Sequence, residues 1–147
     1  MYSPLKGEIF PLSQFEDPLF ATEQVGKGIA VNPDVGEVYA PSDGEITSLF
    51  PTNHAIGITT ESGAEILIFI GVDAIRLNGE YFTSHVKQGD RVNRGDLLLE
   101  FDMEKIKALG YPVTTAVVVT NSEQYLDVKT IAKNKVGIHD PLLNLLV

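Results

Sequence analysis

Short runs of alternating apolar and polar residues, broken every few positions by Gly, Pro, Asn or Asp, dominate the chain, and helical spacing of apolar residues rarely persists beyond two turns. The pattern predicts strands at 8–12, 28–31, 37–40, 44–50, 55–60 and 65–70, then at 97–101, 116–120 and 125–129. Segments this short and this numerous predict an all-β fold, an antiparallel sandwich or barrel-like arrangement. A further strand is expected within 140–147.

One short helix is expected over 102–109. Asp102 is placed to cap its free amides, Gly110 to take the left-handed stop, and Pro112 to prevent continuation. Its role reads as a connector between sheets. Ser3-Pro4-Leu5-Lys6-Gly7-Glu8-Ile9 and Ala40-Pro41-Ser42-Asp43-Gly44-Glu45-Ile46 share the pattern small-Pro-x-x-Gly-Glu-Ile, a turn entering a strand, and this echo predicts two similar sub-units packed together. The stretch 85–97 holds Gly-Asp twice around Val92, as two turns flanking a very short strand require. No linker-like run divides the chain, so one domain over 1–147 is expected.

Composition narrows the function classes. The 147 residues carry 20 Asp and Glu against 11 Lys and Arg, a formal charge of −9, which argues against phosphate-backbone binding and hence against nucleic acid. There is no Cys, so thiol nucleophiles, thiolate metal sites and disulfides are absent from the chemistry. The first residues lack the basic and apolar regions of a signal peptide, and no apolar run approaches the roughly 18 residues of a membrane span. These features predict a cytoplasmic protein with no membrane insertion of its own.

With Cys excluded, His54, His85 and His139 form the imidazole inventory, spaced 31 and 54 residues apart with no His-x-His or His-Glu-x-x-His motif. No metal site is expected. Neither a phosphate loop nor a dinucleotide fingerprint is present, so no cofactor is expected either. His85 and His139 fall in polar turn sequences and read as surface residues. His54 follows the turn Phe50-Pro51-Thr52-Asn53 at the mouth of a strand, beside the Thr52 hydroxyl, where an imidazole can titrate, donate to an anion or orient a neighbour.

Over Ser3 to Val128 the chain resembles the glucose-type IIA domains of the bacterial phosphoenolpyruvate:sugar phosphotransferase system, nearest to the beta-glucoside branch. The matching segments are Gly26-Lys27-Gly28-Ile29-Ala30-Val31, Ala40-Pro41-Ser42-Asp43-Gly44, Phe50-Pro51-Thr52-Asn53-His54-Ala55-Ile56-Gly57, Glu65 to Asp73, and Leu77-Asn78-Gly79-Glu80-Tyr81-Phe82. The paired Gly-Asp turns also resemble biotinyl and lipoyl carriers, whose modified Lys between two Met is missing. The IIA resemblance implies an antiparallel β-sandwich with a shallow apolar depression. There a His takes a phosphoryl group from a phosphocarrier protein and passes it to a cysteine of a IIB domain. It further implies that His54 is the supporting histidine, that Thr52 fixes which imidazole nitrogen faces the acceptor, that Asp73 lies beside the site, and that Phe20, Val25, Phe50 and Leu67 form the docking patch. Core packing is the alternative reading for these four.

One departure changes the chemistry. Where the family reads Leu-Ile-His-Ile-Gly-Ile-Asp-Thr, this chain reads Leu67-Ile68-Phe69-Ile70-Gly71-Val72-Asp73-Ala74, so Phe69 occupies the position of the phosphoryl-accepting His. Asn53, Ala74 and Ala116 replace the usual Lys, Thr and Pro. A phenyl ring offers no lone pair to phosphorus. The resemblance therefore implies a IIA module of sugar uptake that binds or regulates without relaying phosphate. Two alternatives keep transfer: His54 as substitute acceptor, or Phe69 as a deliberate replacement in an ordinary transferring IIA domain.

Overall fold

A computed structural model describes residues 1–132 and 134–147. The strands are β1 (Gly7–Pro11), β2 (Lys27–Pro33), β3 (Glu37–Tyr39), β4 (Gly44–Leu49), β5 (Ala55–Thr60), β6 (Glu65–Ile70), β7 (Phe82–Ser84), β8 (Arg91–Val92), β9 (Leu97–Phe101), β10 (Thr115–Val119), β11 (Asp127–Thr130), β12 (Lys135–Val136) and β13 (Leu143–Leu146). Two short helices, α1 (Pro18–Ala21) and α2 (Met103–Ala108), and 3-10 turns at Leu12–Gln14, Ala74–Leu77 and Ser122–Gln124 join them. No helix among the described residues is long and apolar enough to cross a membrane.

An eight-stranded antiparallel sheet runs in the order β12-β1-β2-β10-β6-β5-β4-β8, with smaller sheets β3-β9-β7 and β11-β13. The expected all-β sandwich is what forms. Its core is built by the inward faces: Ile29 and Val31 on β2, Ile66, Ile68 and Ile70 on β6 and Val117 on β10 meet Leu98 and Leu99 of β9 and Leu143 of β13. β-branched residues dominate because they suit a pleated, buried surface.

The expected internal duplication is present in the register. Gly7 pairs with Val136 on one side and Pro33 on the other, while Gly44 pairs with Val92 and Thr60. A Cβ on Gly7 would stand 2.2 Å from the Asn32 carbonyl oxygen, and one on Gly44 2.3 Å from that of Thr59, so the same close approach demands glycine twice. The turns repeat too: Asn93 N–H donates to Asp96 Oδ2 at 2.8 Å and Gly137 N–H to Asp140 Oδ2 at 2.7 Å. An internal two-fold thus relates the halves of the large sheet, passing between β6 and β10.

Asp102 caps α2 as expected, its Oδ1 accepting from the Lys105 N–H at 3.2 Å, and Gly110 follows with φ 86°. The very short strand between the Gly-Asp turns is β8. α1 is not among the elements expected from the sequence; its signals are Asp17 as N-cap, accepting from the Leu19 N–H at 2.9 Å, and Pro18 in its first turn.

Candidate functional site

Strand β6 alternates between two environments. Ile66, Ile68 and Ile70 point into the sandwich, so Leu67 and Phe69 stand on the outer face of the large sheet, partly buried. Phe69 is paired in register with Ala55 of β5 on one side and Ala116 of β10 on the other. Small neighbours leave a shallow floor on which an aromatic ring can lie. The segment carrying the turn Leu12–Gln14 and α1 crosses this floor and buries Leu12, Phe15 and Phe20 against Ala30, Ala116 and Val118.

The Phe69 ring is held from both sides. Phe20 lies tilted against it with centroids 4.8 Å apart, and Phe15 meets it edge-on at 6.4 Å. On the opposite flank the His54 ring meets it at 5.4 Å and 77°, and Phe50 closes on His54 at 5.4 Å and 86°. Edge-to-face arrangements of this kind match the positive rim of one ring to the negative face of the next. A continuous aromatic row therefore runs Phe50, His54, Phe69, Phe20, Phe15.

A tight turn positions His54. Asn53 takes φ 58°, a left-handed conformation that Asn tolerates, and its N–H donates to the Phe50 carbonyl at 2.7 Å. The His54 carbonyl then accepts from the Ile70 N–H at 2.8 Å, which locks the turn onto β6. The His54 residue is 2% exposed, and burial pushes its pKa below the usual 6.5, so the ring is neutral at pH 7. Its Nδ1 is bonded to Thr52 Oγ1. No buried side-chain nitrogen or oxygen among the described residues lacks a partner, so Nε2, which has none among those residues, reaches solvent. A neutral imidazole carries one donor and one acceptor. When the Thr52 hydroxyl donates to Nδ1, Nε2 bears the proton and can donate to an anion; when Nδ1–H donates to Thr52, Nε2 is a free base.

The sequence-derived residues divide into two groups. Thr52, His54, Phe50 and Phe69 come together at one flank of the depression. Leu67 and Val25 are partly buried at its edge. Phe20, only 5% exposed, is chiefly a packing residue against Phe15 and Phe69, whereas its neighbour Leu19 is 53% exposed and Phe50 38%. Asp73 starts the turn Ala74–Leu77, and its Oδ1 pairs with Arg76 Nε at 3.9 Å. Phe15 was not singled out from sequence; the signal was the aromatic at i+3 from Leu12 within a segment otherwise rich in acidic and turn residues. His85 pairs with Glu100, Nε2 to Oε1 at 2.7 Å, and His139 is exposed. Among the described residues no three His, Asp or Glu gather closely enough to hold a metal ion.

Comparison with known proteins bears on this arrangement. The model of the phosphoenolpyruvate-dependent sugar phosphotransferase system, EIIA 1 family matches residues 1–125. The beta-glucoside-specific EIIBCA component of Dickeya chrysanthemi is 52% identical over 145 residues, covering 99% of this chain and 23% of that protein. The beta-glucoside-specific EIIBCA component of Bacillus subtilis (strain 168) is 52% identical over 125 residues, 85% of this chain and 20% of that protein. This chain thus spans less than a quarter of the length of either. The glucose-specific EIIA component of Halalkalibacterium halodurans is 48% identical over 124 residues, 84% of this chain and 72% of that protein. Among solved structures, glucose permease IIA from Mycoplasma capricolum superposes with a TM-score of 0.84 at 34% identity, covering 97% of this chain and 92% of that one.

Proposed function

From its membership of the EIIA 1 family of the phosphoenolpyruvate-dependent sugar phosphotransferase system, to which this chain belongs, we propose that it docks a phosphocarrier protein and a IIB domain at the Phe69 depression on the cytoplasmic side, without accepting phosphate. In transfer between histidines, a ring nitrogen lone pair of the acceptor attacks phosphorus, a new P–N bond forms, and the P–N bond of the donor breaks with its electron pair returning to the donor ring. Phe69 stands at the acceptor position with only C–H edges to offer. Mispositioning slows a reaction by a finite factor, but an absent lone pair removes the step.

The observation that carries this reading is the placement of Phe69. Its ring lies between Ala55 and Ala116 in register and 5.4 Å from the His54 ring, where an acceptor and its supporting imidazole would face each other. Docking is supported separately. Leu19 and Phe50 expose apolar area at the rim, and residues 8–26 bring Glu8, Glu16, Asp17 and Glu23 with no Lys or Arg. An apolar patch with an acidic border fits a basic protein surface.

The test is competition. Added to a reconstituted relay with a transferring IIA domain, the chain is expected to bind the phosphocarrier saturably, slow label transfer in proportion to occupancy, and stay unlabelled. Absence of binding rejects the docking half; label on this chain rejects the other.

A second reading is favoured by one observation, the solvent-reaching Nε2 of a neutral His54. In it His54 itself takes the phosphoryl group when Nδ1–H donates to Thr52. Label in the parent that disappears in His54→Gln supports it, and label retained in that variant rejects it.

A further inference from the structure

The internal two-fold sets β7 and β9 against β11 and β13, and the two pairs fill the sandwich unequally. Ser84↔Leu99 and Phe82↔Phe101 correspond to Thr130↔Leu143 and Val128↔Leu145. The match runs on past the strands, since the His85 N–H donates to the Leu98 carbonyl and the Ile131 N–H to that of Leu142, both at 2.9 Å. Tyr81, Phe82 and Val86 therefore have Asp127, Val128 and Ala132 as counterparts. In the large sheet Leu49↔Ile56 corresponds to Pro11↔Ile29, which makes Pro11 the counterpart of Leu49. In the half with β7, Leu49, Tyr81, Phe82 and Val86 all pack on the main core, and the Phe82 ring stacks on Phe101 with centroids 5.8 Å apart. In the half with β11 each of the four positions holds a smaller residue, and one of them is charged.

A cavity of about 520 Å³ opens beside those smaller residues, lined by Pro11, Ile29, Val128 and Ala132 among others. Lys27 and Asp127 also line it, Nζ to Oδ1 at 3.6 Å, with both side chains nearly half exposed, so the pair stands at the mouth. Glu23 shares that rim, exposed and without an ion pair among the described residues. Two carboxylates against one ammonium leave the rim negative, in a chain whose formal charge is −9. An apolar floor with a few convergent polar groups at one end is the usual make-up of a small-molecule site.

We propose that this cavity binds a small aromatic amine, with its ring on Ile29 and Val128 and its ammonium between Glu23 and Asp127. The ring takes the place that the Phe82 ring takes in the other half, where the same fold accommodates a planar group against the corresponding strands. The rim decides the sign of the polar group: a carboxylate would meet two like charges there, whereas an ammonium gains two opposite ones. Leu12 and Ala21 line the cavity as well, and both belong to the segment that covers the Phe69 depression, so the occupant touches that cover. The site itself does not depend on the function proposed for the depression.

Amide shifts in NMR spectra of the intact chain test this, with phenethylamine as the probe. Titrated at neutral pH and constant ionic strength, it is expected to shift the amides of Ile9, Val128 and Ala132 saturably. The expected dissociation constant is on the order of 1 mM, in keeping with so few heavy atoms. Phenylpropionate, which has the same ring and the opposite charge, should bind about tenfold more weakly. Propylamine, which has the charge and no ring, should give no saturation. Val128→Phe builds the counterpart of Phe82 into the cavity, so it should abolish binding and raise the midpoint of thermal unfolding. Asp127→Asn, which keeps the shape and removes a rim charge, should weaken phenethylamine several-fold and narrow its lead over phenylpropionate; it decides the point if Val128→Phe does not fold. Equal affinity for the amine and the acid overturns the proposal, as does saturable binding of propylamine. So does phenethylamine binding retained in a folded Val128→Phe or undiminished in Asp127→Asn, or a set of shifts centred on Phe50 and His54 instead of the cavity.

Discussion

The inner and outer faces of β6 differ in what fills them. Inward, Ile66, Ile68 and Ile70 are each at most 2% exposed and meet residues of their own size from β9 and β13. Outward, Leu67 and Phe69 meet alanines and valine of the sheet and a borrowed cover from the segment 12–21. The inner face is packed from every side, so its side chains set stability. The outer face is packed from one flank only, so the other flank stays open at His54 Nε2, where docking is proposed. The proposed function falls where the packing of the sheet is incomplete.

The sharpest way to break that comparison is Phe69→His. It is expected to convert a chain that takes no phosphoryl group into one that takes one per molecule, read by intact mass after incubation with phosphoenolpyruvate, enzyme I and the phosphocarrier protein. The same substitution loses phenyl packing on Phe15 and Phe20, so it should cost about 1–3 kcal/mol in urea unfolding. A variant that gains phosphate at no cost would show that the aromatic row contributes nothing to the cover.

Next come the paired truncations on β6. Ile68→Ala should cost about 2–5 kcal/mol, as for other large-to-small changes in a full core. Leu67→Ala, one residue away on the open face, should cost less than half as much and should weaken phosphocarrier binding, which Ile68→Ala should not. Equal costs would erase the distinction between the faces.

Smaller still is Thr52→Val, which removes the Nδ1 partner of His54 and should cost about 1 kcal/mol. Its clearer readout is nitrogen NMR of His54, where the ring should change from one dominant tautomer to a mixture.

The smallest effect is in pH dependence. The folded-state pKa of His54 is lowered below 6.5 by burial, so the unfolded chain binds this proton more readily than the folded one. Stability is therefore fully present above about pH 6.5, falls as pH drops through that value toward the lowered folded pKa, and levels off below it. His54→Gln should flatten this part of the stability profile, and an unchanged slope would mean that other groups govern it.

Much of the fold was legible in the sequence because alternation is read directly as faces. β5, β6 and β9 fall at the expected residues, as does the helix capped by Asp102. The echo between Gly7 and Gly44 foretold the duplication, since the same carbonyl contact excludes a side chain at both. The matching echo between 91–99 and 135–143 is faint in the sequence because only Val92 with Val136, Asp96 with Asp140 and two leucines coincide; what the halves share there is hydrogen-bonded turn geometry. At the site, the Thr52–His54 pair could be expected from its spacing beside a turn. The role of Phe15 and the burial of Phe20 could not, because they depend on a cover laid across the sheet by tertiary packing. Alternation says which way a residue points but not what lies over it.

The central claim is that Phe69 leaves the relay without an acceptor atom. Its most direct test is the intact mass of the unaltered chain, quenched at alkaline pH where a phosphohistidine would survive, after exposure to phosphoenolpyruvate, enzyme I and the phosphocarrier protein. The account predicts a single species at the unmodified mass while a transferring IIA domain in the same tube becomes phosphorylated. A species heavier by one phosphoryl group, lost on mild acid treatment, would contradict it.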